Sequence, residues 1–329
     1  MASVKQIETD FWAFVAKVPV ASRDHGIIYI TRPWGTQKYI IRKILEGQAR
    51  GIRQHLVHKG RQVGASLILQ LWTAYLMFKH PGFQGACITD DDENREYFRD
   101  VFTQMALAAP GAPLLRIKNK NQLAWENGSR LLYQFAGIRE RRRQKLGVGR
   151  GLAFLHATEA PLWVSASIMA YLRSAFSKEH EARCYVFEGT PRGRNDWYDI
   201  WTEANENAKL EAQALFAAWW LREDYAFPKS SAEFKKYWDH RFTVPERRWQ
   251  RELERRFHTT LRPEQIAWRR WYLAEQAEGD ARLADQEMAT LPEDGFEATG
   301  QSFLAVEAVR RCRRAVAAAP APQHWRYEY

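Results

Sequence analysis

Apolar residues fall along this chain in two alternating patterns. "IRQHLVH", "GACIT", "LAFLHAT" and "ARCYVFEGT" are short, largely apolar runs, the kind that form strands covered on both faces of a sheet. Between them lie longer stretches with helical spacing. "SLILQLWTAYLMFKH" is apolar nearly all round, which predicts a helix enclosed in a core and stopped by Pro81-Gly82. "DDENREYFRDVFTQMALAA" has an acidic first turn and helical periodicity, and "SASIMAYLRSAF" is a third helical stretch. Strands alternating with helices predict a parallel sheet flanked on both faces. Within that series "QLAWENGSRLLYQF" reads as two β runs joined by a hairpin turn at Asn127-Gly128.

The ends of the chain have a different character. Residues 1–50 read as helical pieces around a break at Pro33 and Gly35, with helical spacing from Gln37 to Leu45 and an expected stop at Gly47. From about residue 230 the segments are long, charged, tryptophan-rich and helical, as in "AEFKKYWDHRFTVPERRWQRELERR", and "AVAAAPAP" near the end reads as a linker. The expected organisation is a main domain at 1–228, a helical appendage at 229–310 and a tail at 311–329. No internal repeat is visible.

Composition narrows the class. A chain of 329 residues with 46% hydrophobic content can bury a substantial core, and its net charge of +10 favours an acidic partner such as nucleic acid over a small neutral metabolite. Cys87, Cys184 and Cys312 are odd in number and unpaired in spacing, so neither a disulfide framework nor a cysteine zinc site is expected, and a reducing intracellular setting fits. The N-terminus lacks a signal-peptide core and the longest apolar run is too short for a bilayer, so no membrane association is expected.

The chemistry concentrates at "HLVHKGRQVGASLILQLW", where a strand, a glycine loop and a helix follow one another as in a phosphate-binding P-loop. The pattern GxxxxGK[ST] wants lysine between Gly64 and Ser66, and this chain has Ala65 there. Either the loop is an ordinary strand-to-helix turn, or its cation has moved. Lys59 stands in place of the usual first glycine, and its flexible stem can carry an ammonium towards the β/γ-phosphates while loop amides and the helix N-terminus supply further donors.

In order and spacing, the loop, the strand-end "TEAPLW", the "ENGS" hairpin, "EGTPRGRNDWYDIW", "LRPEQIAWRRWYL" and "QEMATLPEDGFEATGQSF" resemble the ATPase domain of the large terminase subunit, the DNA-packaging motor of tailed bacteriophages. The likeness covers roughly residues 30–305. It implies an α/β P-loop NTPase of the ASCE-like kind, a mainly parallel sheet flanked by helices with a C-terminal helical appendage. ATP and Mg²⁺ are the implied cofactors. Lys59, Gly60, Arg61, Gln62, Val63, Gly64, Ala65 and Ser66 would form the variant P-loop, with Ser66 on the metal and Arg61 as the second candidate cation, directed at the γ-phosphate in the transition state.

"LAFLHATEA" is similar to a Walker B strand, but Thr158 stands where an aspartate is usual, leaving Glu159 as catalytic base and further metal neighbour. His156 in the same strand reads as a packed core histidine. Thr190, in Gly189-Thr190-Pro191, matches the coupling motif that senses γ-phosphate. Trp34 and Gln37 match the adenine site. The basic run Arg139, Arg141, Arg142, Arg143, Lys145 and Arg150 is a solvated loop, a DNA-backbone contact or the source of an arginine delivered in trans, with Arg139 and Arg150 favoured for that last role.

The implied partners are double-stranded DNA, the portal protein and the small terminase subunit. A homo-oligomeric ring on the procapsid, or a monomer in isolation, in the bacterial host cytoplasm completes the expectation. Complete large terminases continue into an acidic two-metal nuclease domain. Here Asp239, Asp280, Asp285 and Asp294 all fall in helical or turn contexts, so no nuclease activity is expected. Ala65 and Thr158 also support a rival expectation, a non-enzymatic DNA-binding or assembly module with a degenerate P-loop. Another P-loop translocase or helicase shares the chemistry.

Overall fold

The structure is a computed structural model that describes residues 3–22, 25–137, 146, 151–207 and 211–297. Helix α1 (Val4–Val15) leads into a small antiparallel hairpin, β1 (Pro19–Ser22) and β2 (Gly26–Tyr29), which the apolar pattern did not predict. Ile27 and Tyr29 point largely to solvent, so periodicity carries no signal for this pair and backbone pairing alone defines it. Helix α2 (Gly35–Ala49) runs past Gly47, the expected stop. Gly47 has another reason to lack a side chain, because a Cβ there would come 2.6 Å from Gln213 Nε2.

The main sheet is built from β3 (Gln54–Lys59), β4 (Gln84–Thr89), β5 (Leu115–Lys118), β6 (Gln122–Trp125), β7 (Arg130–Phe135), β8 (Phe154–Ala157), β9 (Cys184–Gly189) and β10 (Ala212–Ala217). Its order is β10-β3-β9-β8-β4-β7-β6-β5. The strands from β10 to β7 run parallel, and the β6 and β5 edge is antiparallel. The mainly parallel α/β architecture is the one expected, and β6 and β7 form the hairpin predicted around Asn127-Gly128.

Helices α3 (Ala65–Lys79) and α4 (Asp92–Ala108) pack with α1 and α2 into one apolar cluster that also holds Val57 and Val186. Helices α5 (Ala166–Ala175) and α6 (Asp196–Glu206) cover the other face, over Leu56, Leu155 and Phe187. Alternation along each strand therefore assigns consecutive residues to opposite layers.

This topology positions the site. Strand β9 separates β3 from β8, and in its register Val57 pairs with Glu188 and Phe187 with Ala157. Cα partners in adjacent strands share a face, so Lys59, Glu188 and His156 emerge on the α3 side at the carboxyl ends of three neighbouring strands. Crevices at these ends are where open α/β sheets hold ligands.

After β10 the chain forms α7 (Ala232–Tyr237), α8 (Val244–Phe257), α9 (Pro263–Trp271), α10 (Ala281–Glu287) and α11 (Pro292–Glu297). A π-helical turn at Tyr272–Gln276 extends α9. Trp268 stacks on Tyr225 and Trp219, and Leu253, Ile266 and Met288 join the same apolar cluster as α3. The aspartates here serve the local scaffold. Asp239 pairs with Arg270, Asp285 with the buried Arg269, Asp280 caps α10, and Asp294 accepts from the Leu291 amide ahead of α11.

Candidate functional site

The loop between β3 and α3 is forced into shape by two left-handed residues, Gln62 at φ 55° and Gly64 at φ 76°. Glycine is required at 64, because a Cβ would sit 2.7 Å from Gln37 Nε2 and 2.8 Å from the Trp34 ring. Three successive carbonyls are braced from outside. Gln62 O accepts from Tyr225 Oη and Arg222, Val63 O from Thr36 Oγ1 at 2.7 Å, and Gly64 O from Gln37 Nε2 at 3.5 Å. With these carbonyls held from outside, the N-terminus of α3 offers its own unsatisfied donors at the loop. Such a cradle suits an oxyanion.

Lys59 ends β3 with a nearly buried side chain. Its Nζ lies 3.3 Å from Glu188 Oε2 and 3.5 Å from Glu159 Oε1. Burial would lower its pKa, but the two carboxylates overcome this and raise it, so the group is an ammonium. Glu188 is fully buried at the end of β9. Burial pushes its pKa up, yet Lys59 together with hydrogen bonds from His156 and Thr158 holds the carboxyl well below the usual range, at about 2. Ser66 Oγ donates to Glu188 Oε1 at 2.8 Å, and His156 Nε2 lies 3.3 Å from the same oxygen. His156 thus packs inside the sheet, with its ring nitrogen beside the site carboxylate.

Glu159 follows β8 in a left-handed conformation, φ 49°, that turns its carboxylate towards Lys59. A non-glycine residue held there costs about 1 kcal/mol or more, a strain typical of functional turns. Its pKa is raised, first by desolvation, with Lys59 opposing and Glu188 and Asp90 assisting. Thr190 is buried just beyond β9. The preceding Gly189 permits close contact with the Glu159 turn, since a Cβ would fall 2.3 Å from Pro161 Cδ. The ends of β8 and β9 are therefore mechanically joined.

Other expected residues have additional duties. Arg61 contacts the Glu287 carboxylate on α10, and its amide donates to Glu287 O at 2.9 Å. Arg192 Nη1 lies 3.5 Å from the same carboxylate. The Gln37 Nε2 braces the loop at Gly64 O while its Oε1 accepts from Trp34 N ahead of α2, and the Arg222 guanidinium lies 3.5 Å from the Trp34 ring centroid. Gly60 and Val63 belong to the loop, and Ala65 opens α3 with its side chain in the core. Arg139, Arg141, Arg142, Arg143, Lys145 and Arg150 lie outside the described residues.

Sequence reasoning missed Glu188, Arg192, Arg222 and Glu287. Glu188 did leave a signal: one acid interrupts the otherwise apolar core strand "CYVFEG". Its partners could be found only once the strand order was known.

Strand order and loop define a mainly parallel α/β sheet flanked by helices, with the candidate site at its strand ends. One solved structure that shares the architecture is a phage large terminase. The bacteriophage HK97 large terminase matches with a TM-score of 0.57 at 12% identity, over 86% of this chain and 55% of that one. The chain thus spans about half the length of that terminase. The large terminase ATPase domain of Thermus phage P74-26 matches at a TM-score of 0.41 and 17% identity, over 72% of this chain and 87% of that one. No protein-family model and no curated protein sequence matches the chain. Among the described residues, no helix is long and apolar enough to cross a membrane.

Proposed function

We propose that this chain is an ATP-hydrolysing motor of the terminase kind, which moves double-stranded DNA into a viral procapsid. The observation that carries the proposal is the meeting of Lys59 and Glu159 with Ser66, linked through Glu188, at the end of the glycine loop. The loop amides other than that of Arg61, which Glu287 O holds, receive the β- and γ-phosphates with the Lys59 ammonium, so the missing lysine at Ala65 is replaced from the start of the loop. Glu159 accepts a proton from the attacking water as its oxygen bonds to the γ-phosphorus and the bond to ADP breaks. A raised carboxyl pKa strengthens it as a base.

Thr190, joined to the Glu159 turn through Gly189 and Pro161, senses loss of the γ-phosphate. Arg61 exchanges Glu287 for phosphate in the transition state. Trp34 and Gln37 border the adenine end, and Gln37 also holds the loop. The donor set suits Mg²⁺: the Ser66 hydroxyl, the carboxylates around it and a lysine ammonium already standing as their cation. When bound with ATP the metal supplies charge neutralisation at the phosphates.

The DNA duplex, the portal protein and the small terminase subunit are the proposed partners, in the bacterial host cytoplasm at the procapsid. The net charge of +10 supports an acidic polymer as partner. In a homo-oligomeric ring, Arg139 or Arg150 would serve the neighbouring subunit. Residues 1–228 are the proposed motor domain and 229–310 its helical appendage.

Steady-state phosphate release tests the chemistry. Glu159→Gln is expected to lower turnover by about 10²-fold or more, and equal rates in variant and parent would remove Glu159 as the base. One observation favours a non-catalytic scaffold instead: Lys59 is already neutralised by two carboxylates. Saturable ATP turnover by the parent chain excludes that alternative.

A further inference from the structure

We propose that Glu188 is the carboxylate that receives the divalent cation of the nucleotide, in place of the acid absent at Thr158, with Ser66 as its neighbour. This rests on the ATP-binding function proposed above and assigns a role to a residue outside the loop and the β8 turn.

Glu188 is an expensive residue where it stands. The rest of β9, Cys184 to Phe187, is buried and apolar, and a carboxylate among them must be compensated. Its two oxygens are treated differently. Oε1 receives the Ser66 hydroxyl at 2.8 Å and faces His156 Nε2 at 3.3 Å, which fixes the plane of the group. Among the described residues Oε2 accepts no hydrogen bond of good geometry, and the Lys59 Nζ lies 3.3 Å from it. An oriented, buried carboxylate with one oxygen reserved for a cation is what metal binding requires.

Position gives the second argument. β9 lies directly between β3 and β8, and Thr158 helps to hold the Glu188 carboxyl below its usual range. A carboxylate delivered from β9 therefore reaches the place that one delivered from residue 158 would occupy. Two acids there would repel in a buried space, so threonine at 158 and glutamate at 188 act as a matched exchange. Mg²⁺ needs only one or two protein carboxylates when phosphates and water complete its octahedron. In this arrangement the Lys59 ammonium holds the cation's place. With the metal nucleotide bound, Lys59 would turn to the phosphates and leave Oε2 to the cation.

The test uses the full chain, a fluorescent ATP analogue titrated in EDTA and in Mg²⁺, and paramagnetic resonance of Mn²⁺ bound with a non-hydrolysable ATP analogue. Glu188→Gln is expected to bind nucleotide in EDTA at least as well as the parent, and to lose the Mg²⁺-dependent gain and bound Mn²⁺ by about tenfold or more. Adding Thr158→Asp to Glu188→Gln restores both, an outcome that loss of packing would not give. Glu188→Asp keeps the charge opposite Lys59 and withdraws the oxygens by one methylene, so it loses the Mg²⁺ gain even if the glutamine variant fails to fold. Metal dependence unchanged from the parent in Glu188→Asp, or in a folded Glu188→Gln, overturns the assignment and leaves ATP binding standing. A parent chain that binds no nucleotide in either condition overturns both.

Discussion

At the residue scale, one ion pair determines much of the site's behaviour. Lys59 and Glu188 are both nearly or wholly buried, and each is tolerable because the other is present. Removing one partner of such a pair costs about 3–5 kcal/mol, whereas removing both costs far less. Lys59→Met is therefore expected to lower the thermal midpoint sharply, and Lys59→Met with Glu188→Leu to recover much of that loss while binding no nucleotide. Differential scanning calorimetry of the two variants checks this. A double variant no more stable than the single would show that the pair is not the source of the effect. Gly64 is equally constrained, by its positive φ and the Trp34 ring above it.

At the element scale, the loop is shaped by parts that are distant in sequence. Thr36 at the start of α2 holds Val63 O, and Tyr225 and Arg222 beyond β10 hold Gln62 O. Thr36→Val keeps the shape of the buried side chain and removes the donor, leaving the Val63 carbonyl short of a partner at a cost of about 1–3 kcal/mol. Hydrogen exchange of the loop amides is expected to quicken and nucleotide affinity to fall, and unchanged exchange would mean that the brace is dispensable. The end of α10 acts in the opposite sense, because the Glu287 carboxylate holds Arg61 and, on the proposed function, would compete with phosphate for it. Glu287→Gln should strengthen binding of the fluorescent ATP analogue by a few fold, in a titration where weaker binding would assign Glu287 to support of the loop.

At the scale of the whole molecule, buried titratable groups predict how stability follows pH. His55 and His58 are fully buried, and burial lowers each to about 3. Between pH 5 and 6 the unfolded chain carries a proton on each, near its ordinary pKa of about 6.5, and the folded chain does not. Stability from these groups is thus lost as pH falls. Asp294 works the other way, raised to about 7 first by burial and then by Asp285, so the folded chain holds a proton that the unfolded chain releases. From these three groups unfolding takes up about one proton net, and stability rises with pH in this window. His80 and His180, lowered by partial burial, add fractionally. Asp294→Asn removes the opposing group and should steepen the slope by about one proton, measured by urea unfolding at several pH values. An unchanged slope would show that Asp294 is ionised in the folded chain.

Local pattern was enough for the alternation of strands and helices, the Asn127-Gly128 hairpin and the loop from Lys59 to Ser66, because burial periodicity and turn chemistry act over a few neighbouring residues. The same locality explains the omissions. The β1–β2 hairpin and β10 carry little apolar alternation; the hairpin exists through the pairing of its own two strands and β10 through pairing with the distant β3. Ala65 and Thr158 were visible as departures, but what offsets them was not. Placing Glu188 beside Ser66 and Lys59 depends on β9 lying between β3 and β8, a consequence of strand order. The sequence by itself determined the fold class and the glycine loop between β3 and α3. Only the tertiary structure decided which buried charges meet at it, since burial and Coulomb attraction depend on distances in space.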